Sequence, residues 1–100
     1  MLEIAKELNN QQCMLCLKGR LDTNTAKQLE DQFEPLLKEV TAIQINCQEL
    51  EYISSAGLRV ILAYFKKSKA SNIDFVLSNM NSLVKEVFDI SGFAQFLKII

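Results

Sequence analysis

Apolar residues recur along this chain with two different periods. Residues 1–8 alternate weakly between apolar and polar, the pattern of a strand. Asn9-Asn10-Gln11-Gln12 is a polar turn. Residues 13–17 form a compact apolar run closed by Lys18-Gly19, so a second strand is expected to fold back on the first as a hairpin. Residues 20–25 read as a loop rich in helix-capping side chains. Ala26, Leu29, Phe33, Leu36, Leu37 and Val40 then recur at helical spacing, with charges between them. Pro35 falls inside that pattern and removes one intrahelical hydrogen bond, which predicts a kink or split near Glu34. Residues 42–47 alternate as a strand, and residues 49–53 lead to the pair Ser54-Ser55. A helix from Ser55 to about Lys69 is expected to bury Leu58, Ile61, Leu62 and Phe65 on one face. Residues 73–77 read as a short strand and residues 78–82 as a polar turn. Leu83, Val84, Val87 and Phe88 make a third helical stripe, stopped by Ser91-Gly92. Residues 96–100 are a final apolar run, read as a strand.

The predicted order is β-β-α-β-α-β-α-β, an α/β domain spanning residues 1–100. A hairpin followed by alternating units gives a mixed sheet of four to five strands. Right-handed crossovers put the three helices mainly on one face. Apolar residues make up 49% of the chain and charged ones 23%, enough for a core and too apolar for disorder. Net charge is −1 and no basic face is evident, which argues against nucleic acid as a partner. The one basic cluster, Lys66, Lys67 and Lys69, sits at a predicted helix C-terminus, where cations suit the dipole. No apolar run is long enough to insert in a membrane, and no export signal is visible. Three cysteines, an odd number, point to a reducing cytoplasm. Cys13 and Cys16 have CxxC spacing, but on a strand residues three apart face opposite sides, so a structural role is expected. Without histidine or a second CxxC, no zinc site is expected.

Candidate chemistry concentrates in residues 52–58, Tyr-Ile-Ser-Ser-Ala-Gly-Leu, where an apolar segment meets a helix start. Ser55 there is read as a helix cap whose oxygen accepts a first-turn N–H. The same place favours an anion, so a phosphate on Ser55 would be tolerated locally while adding about −1.5 to −2 charges. Gly57 permits close approach of a backbone or a partner. Asp22 is suited either to cap the first helix or to contact a partner, and Arg59 to meet an acidic partner surface. Catalysis is not expected. No histidine is present to serve as a base, and the glycines Gly19, Gly57 and Gly92 form no phosphate-cradling loop. No cofactor is expected either.

Gly19-Arg20-Leu21-Asp22 resembles the Gly-x-Leu-Asp segment of STAS domains, the family of bacterial anti-sigma-factor antagonists. Tyr52-Ile53-Ser54-Ser55-Ala56-Gly57-Leu58 resembles that family's most specific motif, and the element order fits along nearly the whole chain. The resemblance implies partner switching, with Ser55 as phosphoacceptor and Ser54 as a second candidate. The implied partner surface is Asp22, Ser54, Ser55, Ala56, Gly57, Leu58 and Arg59. It implies a serine kinase of histidine-kinase-like ATPase fold that doubles as the anti-sigma factor, and a PP2C-type phosphatase. The unphosphorylated antagonist would bind the kinase and free the sigma factor, and phosphorylation would dissociate the complex. Many relatives carry Asp where this chain has Ser54, and Asp at the end of the preceding strand where it has Asn46. The alternatives are a stand-alone STAS subunit of a lipid-transport or other membrane complex, a small-ligand sensor, or a switch controlling a signalling target other than a sigma factor.

Overall fold

Odd-numbered residues of 13–17 and 43–47 are buried and their even-numbered neighbours are not, an alternation that gives the sheet one covered and one open face. The computed structural model describes residues 1–100. Its elements run β1 (Leu2–Asn9), β2 (Gln12–Leu21), α1 (Ala26–Leu36), β3 (Ala42–Ile53), α2 (Ser55–Ala70), β4 (Asp74–Ser78), α3 (Ser82–Ser91), a 3₁₀ turn (Phe93–Gln95) and β5 (Lys98–Ile99). The five strands lie in chain order, with β1 antiparallel to β2 and every later pair parallel. This is the expected order, with a mixed five-stranded sheet and three helices. Leu15, Ile45 and Leu77 share the covered face across paired positions, and Leu29, Phe33, Ile61 and Phe88 from the helices complete the core.

Four boundaries differ from expectation. β2 does not stop at Lys18-Gly19 but continues to Leu21 through register shifts between Cys16 and Lys18 and between Gly19 and Arg20. Gly19 makes that irregularity feasible, since its φ is +105° and a Cβ there would run into the Met1 carbonyl. β3 extends through residues 49–53 to the serine pair. Pro35 does not split α1: it sits in the last turn, so the one intrahelical hydrogen bond it removes lies at the helix end and almost no helix remains beyond it to be displaced. The chain then tightens, with Glu39 N and Val40 N both donating to the Leu36 carbonyl. The terminal strand is only Lys98–Ile99, and Phe96 is exposed.

The buried stripe of α2 also differs in phase. Gly57, Leu58, Ile61, Tyr64 and Ser68 are buried, while Leu62 and Phe65 are only partly covered. The reason is α1 alongside: Phe33 stacks on Tyr64 with centroids 4.8 Å apart. Tyr64 Oη donates to Glu34 Oε2 at 2.7 Å, and Lys67 Nζ lies 3.6 Å from the same oxygen. Burial, and then the Glu34 acceptor, push the Tyr64 phenol well above its ordinary range. The cysteine geometry is as expected, with Cys13 buried on the covered face and Cys16 half-buried on the open one. Cys47 is buried too, and desolvation pushes its thiol up to about 12.

Two outcomes are expected. With Ellman's reagent the native protein should show one accessible thiol, Cys16, and all three only in denaturant. Rapid native labelling of Cys47 would mean that the core opens under native conditions. For Tyr64, the raised phenol means that the folded state holds the proton more tightly. Its stabilisation is complete below about pH 10, where an unfolded tyrosine ionises, and is lost as pH rises above that. Tyr64→Phe should therefore flatten the alkaline limb of stability against pH, and identical limbs for the two proteins would contradict this.

Candidate functional site

The ends of β2 and β3 lie side by side, with Leu21 paired to Ile53, and both chains leave the sheet there. Ser54 N donates to the Leu21 carbonyl at 2.9 Å, which fixes where α2 begins. Ser54 has extended backbone, φ −97° and ψ 174°, and its Oγ accepts from Gly57 N at 3.4 Å. Ser54 is thus the helix cap, and the assignment of that role to Ser55 is corrected. A cap residue must be extended while its carbonyl starts the helix, as Ser54 O does by accepting from Leu58 N. Ser55 is the first helical residue, exposed and without capping duty.

Gly57 is buried. A Cβ on it would sit 2.7 Å from Leu21 Cγ and 3.0 Å from the Leu21 carbonyl oxygen, so its small size admits this chain's own β2 rather than a partner. Leu58 points into the core and Ala56 is half-buried. Arg59 is exposed four residues after Ser55, which puts both on one face of α2. The first turn of α2 contains no acidic residue, while Lys67 and Lys69 stand in its last turn. The structure therefore gathers Asp22, Ser54, Ser55, Ala56 and Arg59 around accessible surface, and uses Gly57 and Leu58 beneath it.

Asp22 caps nothing. Its Oδ1 accepts from Asn24 N at 3.0 Å, closing a turn ahead of α1, whose cap residue Thr25 makes no side-chain capping bond. Thr25 Oγ1 accepts from Asp22 N and donates to the Arg20 carbonyl, each at 2.9 Å. Asp22 Oδ2 lies 3.8 Å from Arg20 Nε, and the Arg20 guanidinium rests 4.2 Å from the centre of the Tyr52 ring. Arg20, Thr25 and Tyr52 were not singled out from sequence. The signal for Arg20 and Tyr52 was their opposed placement on paired strands, visible only once β2 is known to reach Leu21. Asn46, by contrast, lies within β3 with seven residues between it and Ser54, and it binds Gln48 N and Asn79 Nδ2.

A hollow of about 430 Å³ lies at the other end of the sheet, where Gln12, Ala42 and Asp74 begin β2, β3 and β4. No group of three or more His, Cys, Asp or Glu side chains could share a metal ion. No helix is long and apolar enough to cross a membrane.

Comparison with known proteins agrees with this architecture. The family model described as STAS domain matches residues 3–100. Over 85 residues the chain is 35% identical to BtrV of Bordetella bronchiseptica, named as a candidate anti-sigma factor antagonist, covering 84% of this chain and 73% of that protein. It is 25% identical over 91 residues to the anti-sigma-B factor antagonist of Bacillus subtilis, covering 91% of this chain and 84% of the relative. The fold matches SpoIIAA, described as an anti-sigma factor antagonist in its unphosphorylated form, with a TM-score of 0.78 at 19% identity, covering 100% of this chain and 87% of that one. The phosphorylated form of Bacillus SpoIIAA matches with a TM-score of 0.77 at 20% identity, covering 100% of this chain and 91% of that one.

Gly57→Ala should lower stability by about 1–2 kcal/mol in urea denaturation, because overpacking against Leu21 outweighs the gain in helix propensity. Unchanged stability would show that Leu21 moves aside freely.

Proposed function

The chain belongs to the STAS-domain family, and from that membership we propose that it is an anti-sigma-factor antagonist working by partner switching at Ser55. In this reading the unphosphorylated protein binds a serine kinase of histidine-kinase-like ATPase fold that is also the anti-sigma factor, and so frees the sigma factor. Phosphorylation of Ser55 dissociates the complex, and a PP2C-type phosphatase restores it. The names of the Bordetella and Bacillus relatives support the antagonist role. So does the existence of SpoIIAA structures in both phosphorylated and unphosphorylated forms.

One observation carries the choice of Ser55: it is exposed at the first position of α2 while Ser54 does the capping. A phosphate on Ser55 removes no hydrogen bond that the fold uses. It also sits where the helix dipole and first-turn N–H groups favour negative charge. The domain therefore stays folded, and the added charge of about −1.5 to −2 acts outward. A partner surface that closes over a neutral hydroxyl loses several kcal/mol when an unpaired charge is inserted. Ser54 is the poorer acceptor, since its half-buried oxygen already receives Gly57 N. Arg59 offers the cation that an acidic partner surface would meet, and the carboxylate of Asp22 borders the same region.

The test is a pull-down from source-cell lysate with wild type, Ser55→Ala and Ser55→Asp as baits, read by mass spectrometry. An ATPase of the kinase fold should be held by Ser55→Ala and lost by Ser55→Asp. The same partners on all three baits, or membrane-transport subunits in place of the ATPase, would sink partner switching and leave Ser55 an ordinary surface residue.

A further inference from the structure

Three of the seven large apolar side chains exposed on this molecule, Tyr52, Leu83 and Ile90, converge on one groove. They are 41%, 67% and 79% exposed. The other four, Met1, Leu8, Phe96 and Ile100, do not line it. The groove has a volume of about 240 Å³ and runs between the end of β3 and α3. Its floor is Ile53 and Val84, both buried. Leu83, Val87 and Ile90 stand at i, i+4 and i+7, a single stripe along α3. Val84 and Phe88 form a separate stripe that enters the core. α3 is therefore apolar on two faces, and only one of them is satisfied by the fold.

The groove presents side chains. β3 pairs with β4 only as far as Asn46, and beyond that Asn81 Nδ2 of the α3 cap donates to the Leu50 carbonyl at 2.8 Å, tying α3 to the strand. A groove with three apolar anchors at helical spacing suits the apolar face of another helix. The only charged residues lining it are Glu51 and Glu86, both exposed. A fitting helix therefore carries Lys or Arg beside its apolar stripe. A second copy related by two-fold symmetry would bring the same two carboxylates to the shared surface, which disfavours self-pairing.

We propose that the groove formed by Tyr52, Leu83, Val87 and Ile90 docks a basic, amphipathic helix of the ATPase partner. Tyr52 lines the groove and stands three residues before Ser55, so a partner docked there would extend its contact toward the proposed phosphoacceptor. The proposal rests on the partner-switching reading. It adds that Ser55 stands at one end of the interface and that much of the affinity comes from α3.

The experiment is isothermal titration of the full chain with the purified ATPase retained by the Ser55→Ala bait, alongside light scattering of the chain alone. Leu83→Ser combined with Ile90→Ser should weaken binding by at least about tenfold. Glu86→Lys, which leaves the apolar stripe intact, should weaken it several-fold. Lys85→Glu, on the opposite flank of α3, should change little. Both altered groove residues are exposed, so circular dichroism should match wild type. If the groove variants bind like wild type while Ser55→Asp does not bind, partner switching stands and the groove proposal falls. If no ATPase is retained by Ser55→Ala, both fall together. If the wild-type chain is a dimer that the groove variants render monomeric, the occupant is a second copy and the helix proposal is overturned.

Discussion

Leu21 meets the start of α2 through two contacts, and the exposed site depends on both. Its carbonyl receives Ser54 N, and its side chain lies against Gly57 so closely that no Cβ fits between them. These contacts join the end of β2, the end of β3 and the first turn of α2 into one rigid junction. Ser54 is thereby held extended and able to cap, and Ser55 is turned outward as the first helical residue. Asp22 follows Leu21 directly, so the turn closed by its carboxylate is set by the same anchor. A site on such a junction needs no movement of its own to change its charge, which suits a surface read by other proteins.

The second constraint is the one-sided sheet. All three helices pack on the face that carries Leu15, Ile45 and Leu77. This concentrates burial in one layer, while Gln44 donates to Ser78 and Asn46 accepts from Asn79 in two separate polar contacts. Crossovers of one hand between parallel strands enforce that arrangement. The serine pair then falls at the C-terminal ends of the parallel strands, where connections emerge and binding surfaces are commonly built.

Element order was legible because the compact apolar run in residues 13–17, the alternation in 42–47 and the helical spacing in 26–40 are strong, local patterns. Strand ends were not, since Lys18-Gly19 looks like a terminator, and only the bulged pairing with β3 shows that β2 passes through it. Ser54 and Ser55 could not be told apart by type, because both are good caps. The choice depends on backbone angles fixed by Leu21, far away in sequence. Gly57 read as a site for close approach, but which group approaches is a tertiary fact. The α3 groove was hidden for a related reason. Leu83, Val84, Val87 and Phe88 form one apolar band in the sequence, and nothing local says that Val84 and Phe88 go inward while Leu83 faces water.

The pairing of Leu21 with Ile53 has a kinetic side as well. The β1–β2 hairpin closes through the two-residue turn Asn10-Gln11 and is a local contact, available early in folding. The junction at Ser54 requires a parallel crossover that encloses all of α1, and such non-local closures come late. Ser55 is therefore displayed at a helix start only on chains that have closed the β2–α1–β3 crossover. Any partner that recognises this shape would meet folded molecules and pass over incompletely folded ones.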